Sequence, residues 1–238
     1  MRLHRFIGDF DFSKKPFRVT DGELLNQWEN VLRLRPHGQI ILADGRLNEA
    51  VAEIKSISKD LAELEIGAIS KNEKEPPIAT SLFCAVLKKE NFELVVQKAT
   101  EAGAKEIIPI ITGRTIKTKL NLDRLEKIAK EAAEQSGRGI VPAIGSPISF
   151  EEAMKHAREN NAPLFFEPGA PLFDAARLKN SGAKSASVLV GPEGGWDDSE
   201  IETARKQDLK VVGLGGLTLR SETAAVISTY LVANATNL

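Results

Sequence analysis

The spacing of apolar residues changes character about a third of the way along the chain. Before residue 70 it forms short runs broken by turn residues. Pro16-Phe17-Arg18-Val19 reads as a short strand. Asp21 can cap a helix running to about Val31, with Leu24, Leu25, Trp28 and Leu32 along one side at helical spacing. The run 39–43 is closed by Asp44-Gly45, a strong turn signal, and residues 50–54 and 62–66 resume with partial alternation. Short, closely spaced strands around one helix predict a small β-barrel. Lys71-Asn72-Glu73-Lys74-Glu75-Pro76-Pro77 has no apolar residue and reads as a linker. The expected domains are therefore 1–72 and 73–238.

Beyond the linker, strands alternate with helices, which predicts an α/β fold with a helix-covered parallel sheet. The run 80–86 is an apolar strand. Phe92, Val95, Val96, Ala99 and Ala102 then recur at helical spacing up to Gly103. The run 106–111 is the next strand, and Pro109, which lacks a ladder donor, argues for an edge or a strand end. Leu122, Leu125, Ile128, Ala129, Ala132 and Ala133 mark a helix closed by Gly137, and Ser149 to Glu152 fits a capping box. Leu164-Phe165-Phe166 is a strand, followed by a short helix over 173–178. Two more strands, 186–190 and 211–214, flank a helix at about 199–206, and a helix over 222–234 ends the chain.

Each of those last two strands runs into a glycine-rich loop. The first is Gly191-Pro192-Glu193-Gly194-Gly195-Trp196, the second Gly215-Gly216-Leu217-Thr218-Leu219-Arg220-Ser221-Glu222-Thr223-Ala224. Paired loops of this kind, each opening a helix, are the layout of a ligand cleft at the carboxyl edge of a parallel sheet. Glycine lets the main chain approach a ligand closely, so recognition falls to backbone groups. Neither loop carries the Gly-Lys-Ser/Thr of a phosphate loop. Gly213-Leu214-Gly215 begins a dinucleotide fingerprint, but Thr218 stands where its third glycine should be, which disfavours a nucleotide-dependent oxidoreductase. No Gly-x-Ser-x-Gly elbow occurs. What remains is a cleft with one fixed cation, Arg220, and the carboxylates Glu193 and Glu222. Spacing alone also allows these three to be a surface ion, a helix cap and a first-turn carboxylate.

Composition narrows the class. Of 238 residues, 42% are hydrophobic and 27% charged, as in a packed domain with a solvated surface. No apolar run reaches the ~20 residues of a membrane helix, and no secretory segment is visible. The single Cys84 rules out an internal disulfide, and three scattered histidines give no metal-ligand spacing, so no metal is expected and the cytoplasm is. Net charge is −1, yet residues 86–119 carry seven Lys and Arg against four Glu, enough for a local nucleic-acid patch.

At the glycine loops the chain resembles the bacterial 16S ribosomal RNA uridine-N3 methyltransferases of the SPOUT, or trefoil-knot, class. Gly191-Pro192-Glu193-Gly194-Gly195 and Leu214-Gly215 through Leu219-Arg220-x-Glu222-Thr223-Ala224 carry the likeness. Lys88-Lys89-Glu90, Gln97 to Gly103, Ile107-Ile108-Pro109, Glu131 to Arg138, Val141-Pro142 and Val31 to Leu34 extend it, in the family's order, over essentially the whole chain. Two positions depart: Leu217 stands where a basic residue is frequent, and Trp28-Glu29-Asn30 replaces a histidine-containing helix.

The resemblance implies a PUA-like RNA-binding barrel, a knotted methyltransferase domain, a homodimer, and S-adenosylmethionine as cofactor. It implies cofactor contacts at Gly191, Pro192, Glu193, Gly195, Leu214, Gly215, Leu219, Thr223 and Ala224. Arg220 is the expected catalytic side chain, with Glu222 or Glu193 as base. Arg138, Gln135, Lys88, Lys89, Arg114 and Lys117 are the candidate contacts to 16S ribosomal RNA or the small subunit. An RNA-binding assembly factor without catalysis is the non-enzyme alternative.

Overall fold

The alternation of the first seventy residues folds into one mixed sheet. In the computed structural model, which describes residues 3–116 and 119–238, the chain divides into two units. The first contains β1 (His4–Ile7), β2 (Phe17–Val19), β3 (Gln39–Ala43), β4 (Asn48–Ile57) and β5 (Ala62–Lys71), in the order β1-β3-β4-β5-β2. β1 pairs parallel with β3, and the remaining pairs are antiparallel. The path begins and ends on strands that do not pair with each other among the described residues, so the expected barrel is a five-stranded open sheet.

Asp21 caps α1 (Gly22–Asn26), its carboxylate accepting from the Leu24 N–H at 3.0 Å. The expected helix to Val31 is present, but its second half, Gln27–Val31, is a π-helix. Leu25 and Trp28 are fully buried from this segment and pack with Phe6, Ile40, Leu42 and Ile54. β1 has no counterpart among the expected strands.

The stretch 71–77 is not a free linker. β5 runs to Lys71, and the buried Asn72 donates its amide to Glu49 at 2.7 Å and to the Gly137 carbonyl at 3.0 Å. Glu75 accepts from Arg138 at 2.6 Å and from the Gly139 N–H at 3.0 Å. Buried main-chain groups need partners, and the polar residues of this stretch supply them. The division accordingly falls between Glu75 and Pro76, and Glu134–Ile140 belongs with the first unit.

The second unit has β6 (Ala79–Ala85), β7 (Ala104–Ile111), β8 (Ala143–Ile144), β9 (Ile148–Ser149), β10 (Ala162–Phe166), β11 (Ser185–Val190) and β12 (Lys210–Val212). Their order is β12-β10-β11-β6-β7-β8, with β9 also on β7, and every pair is parallel. The helices are α2 (Lys89–Ala102), α3 (Leu122–Ser136), α4 (Phe150–Ala157), α5 (Ala175–Asn180), α6 (Asp198–Lys206) and α7 (Ser221–Ala233). Gly103 ends α2 at φ 104°, and Ser149 with Glu152 closes the capping box of α4. No described helix is long and apolar enough to cross a membrane.

Successive strand residues point to opposite faces, so these strands feed two cores. Leu82, Cys84, Leu164, Phe166, Val188 and Val190 pack with α2, α3, α5 and α7; Phe83, Phe165 and Leu189 pack with α4 and α6. Pro109 is a correction: β7 is an interior strand. The Ile110 carbonyl accepts from Val86, so its neighbour Pro109 turns its missing N–H the other way. There β8 has ended at Ile144 and β9 begins only at Ile148, so the missing donor falls at a break between the two short strands.

Candidate functional site

Parallel register brings the strand ends to one edge. Phe166, the last residue of β10, pairs with Val190 at the end of β11 and with Val212 at the end of β12; Val190 in turn pairs with Cys84 near the end of β6. The loops leaving these strands surround a cleft of ≈ 580 Å³, a size typical of small-molecule sites, ~300–1,000 Å³.

One wall is the loop 191–196. Gly195 adopts φ 72°, and its N–H donates to the Pro192 carbonyl at 2.9 Å, closing a turn. Trp196 anchors the loop from below. Its indole N–H donates to the Phe166 carbonyl at 3.0 Å, and its ring lies 4.4 Å from that of Phe165. Gly191 has its place for packing as well: a Cβ there would lie 3.0 Å from the indole. Arg114 clasps the loop from outside, donating to the Gly194 carbonyl at 2.7 Å and pairing with Asp197 at 2.6 Å. Asp197 and Glu200 form the capping box of α6.

The opposite wall is the segment 213–222. Gly215 takes φ 126°, and neither it nor Gly216 would bring a Cβ within 4 Å of anything. Arg220 is the N-cap residue of α7, with its side chain 86% exposed and Nη1 4.0 Å from Glu222 Oε1. Glu222 is buried in the first turn, and its Oε2 has no hydrogen-bond partner among the described residues. A small recess of ≈ 40 Å³ beside the cleft is lined by Leu214, Gly215, Leu217 and Leu219.

Of the expected cofactor residues, Gly191, Pro192, Glu193, Gly195, Leu219 and Ala224 line the cleft, as do Arg220, Glu222 and Lys88. Leu214 and Gly215 line the recess, while Thr223 is exposed and lines neither. Glu193 is exposed and accepts from the Lys88 N–H at 3.3 Å. Lys89 is the first residue of α2, and Lys117 lies outside the described residues. Gln135 is exposed and belongs to the first unit.

Arg138 requires correction as an RNA contact. Its side chain is 6% exposed and paired with Glu75, because the guanidinium holds the 72–75 stretch in place. Arg114 differs: it is bonded to Gly194 and Asp197, yet its side chain remains 47% exposed.

Sequence reasoning missed Phe166, Glu167, Pro168 and Asn91, all lining the cleft. The signal was present: β10 also ends in a glycine-containing turn, Glu167-Pro168-Gly169. Burial pushes the Glu167 carboxyl above its ordinary range, against the opposing pull of Arg114 and Arg205. Burial, reinforced by the fields of Glu193 and Glu222, pushes the Cys84 thiol far up, so it stays protonated and is no nucleophile.

These residues fit S-adenosylmethionine. Open space at Gly215 and Gly216 admits a close approach to main chain, the recess is apolar, and three carboxylates, Glu167, Glu193 and Glu222, favour a cationic sulfonium.

A family model described as RNA methyltransferase domain matches residues 74–233, and one described as RNA methyltransferase PUA domain matches residues 30–67. A ribosomal RNA small subunit methyltransferase E of Bacillus subtilis is 31% identical over 234 residues, covering 93% of this chain and 91% of that protein. The protein of the same name from Rickettsia conorii is 32% identical over 207 residues, covering 83% and 81%. A solved ribosomal RNA small subunit methyltransferase E of Neisseria gonorrhoeae, bound to S-adenosyl methionine, superposes with a TM-score of 0.86 at 30% identity, covering 96% of this chain and 95% of that one.

Proposed function

The chain belongs to the RNA methyltransferase family, and on that premise we propose that it methylates N3 of one uridine in 16S ribosomal RNA, with S-adenosylmethionine as cofactor. The observation that carries the reading is the cleft itself: two glycine loops and an exposed guanidinium meet at the carboxyl edge of one parallel sheet. The cofactor supplies an electrophilic methyl group when bound. Everything else falls to the chain.

N3 of uridine must lose its imide proton before its lone pair can accept a methyl. It also lies on the Watson–Crick edge, so the base must be unpaired or splayed out. Arg220, free to reach a carbonyl oxygen of the base, stabilises the uridine anion and lowers the cost of deprotonation. Glu222 or Glu193 takes the proton. The main chain of Gly191, Gly195, Leu214 and Gly215, with Leu219, holds the cofactor, and Pro192, Thr223 and Ala224 flank it. Lys88, Lys89, Lys117 and Gln135 contact RNA.

Residues 73–238 form the catalytic domain of the SPOUT class in this reading, and 1–72 the PUA-like RNA-binding domain. A trefoil knot is supported by the path of the chain: it leaves the sheet-edge strand β12 and returns as α7 to pack on α2, β6 and β11 near the centre. A homodimer is supported by exposed Leu94, Ile227 and Tyr230 on the packed pair α2 and α7, at 42%, 38% and 50%. A cytoplasmic location belongs to the same reading and is supported by ribosomal RNA as the substrate.

Mass spectrometry of ribosomal RNA after incubation with the protein and an isotopically labelled methyl donor tests the reading. One 3-methyluridine in the 16S species is expected. Label at carbon, at a ribose hydroxyl, or on no nucleotide overturns it.

A further inference from the structure

Five residues line both the main cleft and the small recess: Phe166, Glu167, Pro168, Leu219 and Ala224. Only Glu167 among them has a polar side chain. It follows the last residue of β10, its N–H donating to the Val212 carbonyl at 2.9 Å and its carbonyl accepting from the Ala170 N–H at 3.3 Å, so its backbone is fixed. Its carboxylate is the opposite case. Oε2 is buried without a hydrogen-bond partner, and no side-chain hydrogen bond to Glu167 occurs among the described residues. Arg114, Arg205 and Asp198 act on it only through space. Glu167 as a whole is half-buried, but a carboxylate oxygen buried without donors is costly, and proteins retain one where something else supplies the donors.

The two cavities differ in chemistry. The recess is bounded by Leu214, Leu217 and Leu219, which suit the flat apolar face of a purine. The main cleft holds Arg220, Glu222 and Glu193, where the transfer chemistry belongs. In an adenosyl sulfonium, the group joining the purine to the sulfur is a ribose, whose free 2′ and 3′ hydroxyls are paired donors. A carboxylate can accept both.

We propose that Glu167 is the acceptor for the ribose hydroxyls of the cofactor, and thereby the residue that sets preference for a ribonucleoside with an intact diol. The proposal rests on reading the cleft as the S-adenosylmethionine site.

Calorimetric titration separates the two claims. Full-length wild type, Glu167→Ala and Glu167→Gln are titrated with S-adenosylhomocysteine and with its 2′,3′-dideoxy counterpart. Wild type should prefer the diol by at least ~10-fold, the scale of hydrogen bonds to a charged acceptor. In Glu167→Ala that preference should vanish through weaker binding of S-adenosylhomocysteine, with binding of the dideoxy compound retained. Glu167→Gln, which keeps one acceptor oxygen and the side-chain volume, should show an intermediate preference, and it decides the matter if the alanine variant does not fold. A preference unchanged in a folded variant overturns the proposal. So does a wild type that binds both compounds equally, and that result leaves the cofactor reading standing. A wild type that binds neither compound overturns both.

Discussion

The two loops that enclose the cleft are built in opposite ways. The loop after β11 is held at every level: indole to carbonyl, guanidinium to carbonyl and carboxylate, and a turn closed by its own hydrogen bond. The loop after β12 is tied at its ends, through Gly213 to Pro171 and through Arg220 to Ala224, and among the described residues 214–219 make no hydrogen bond between. Leu217 at its tip is 84% exposed. One wall is therefore pre-formed, and the other gains its contacts from whatever the cleft receives. Pre-organised donors cost nothing at the moment of binding, whereas ordering a loop on the ligand spends part of the binding energy.

The sharpest way to break this contrast is to remove the anchor of the first loop. Trp196→Ala deletes a buried ring packed on Phe150 and Phe165 and should destabilise the protein by ~3–5 kcal/mol, read from urea unfolding. Leu217→Ala on the other loop should stay within ~0.5 kcal/mol of wild type. Equal losses would refute the idea of one fixed and one free wall.

Next in size is the cation at the foot of the second loop. Arg220→Ala should lower methyl transfer by at least ~10² while S-adenosylhomocysteine affinity and melting temperature hold, because the side chain is 86% exposed and its ion pair with Glu222 is long, at 4.0 Å. Wild-type turnover in that variant would remove Arg220 from the chemistry.

The glycines refine the comparison. Gly191→Ala pushes a methyl to 3.0 Å from the Trp196 ring and should cost ~1–3 kcal/mol of stability by overpacking. Gly215→Ala meets open space but sits at φ 126°, so the unanchored loop should shift to relieve it. Its effect should therefore appear in S-adenosylhomocysteine affinity, by titration, more than in melting temperature. The reverse pattern would mean that the second loop is the rigid one.

Much of this was legible in the chain. Continuous apolar runs such as 186–190, left by burial on both sheet faces, and period-3.6 spacing located five strands and the helices of the second unit, but not the two-residue strands β8 and β9. The two loops were legible because glycines cluster only where main chain must turn or stand open. What escaped was set by long-range partners. β1 depends on pairing with β3, thirty-six residues away at His4 and Ile40. Pro109 is tolerated inside the sheet only because the neighbouring strand is interrupted. Arg138 looked like an RNA contact because nothing local reveals Glu75 as its partner. Glu167 went unnoticed because its turn carries one glycine, and its significance lies in what fails to bond it.

The smallest expected effect concerns that same residue, which stands at the end of β10 between the two loops. Its carboxyl is raised in the folded protein from an ordinary value near 4.5, with burial as the main cause. The folded state therefore holds the proton to higher pH than the unfolded chain does. Stability is lost as pH climbs from about 4.5 through the folded value, and the penalty is complete above it. Glu167→Gln removes the titration but keeps the shape. Its melting temperature should match wild type at pH 4 and exceed it at pH 8, with Arg114 and Arg205 keeping the gap small because they already favour the anion. Saturating S-adenosylhomocysteine should then close the gap at pH 8, since a donor pair delivered to the carboxylate repays its burial in wild type and does less for the amide. A gap independent of pH, or one that ligand widens in favour of the glutamine variant, would mean that Glu167 is neither strained by burial nor met by the nucleoside, and that the junction of the two walls is read by main chain alone.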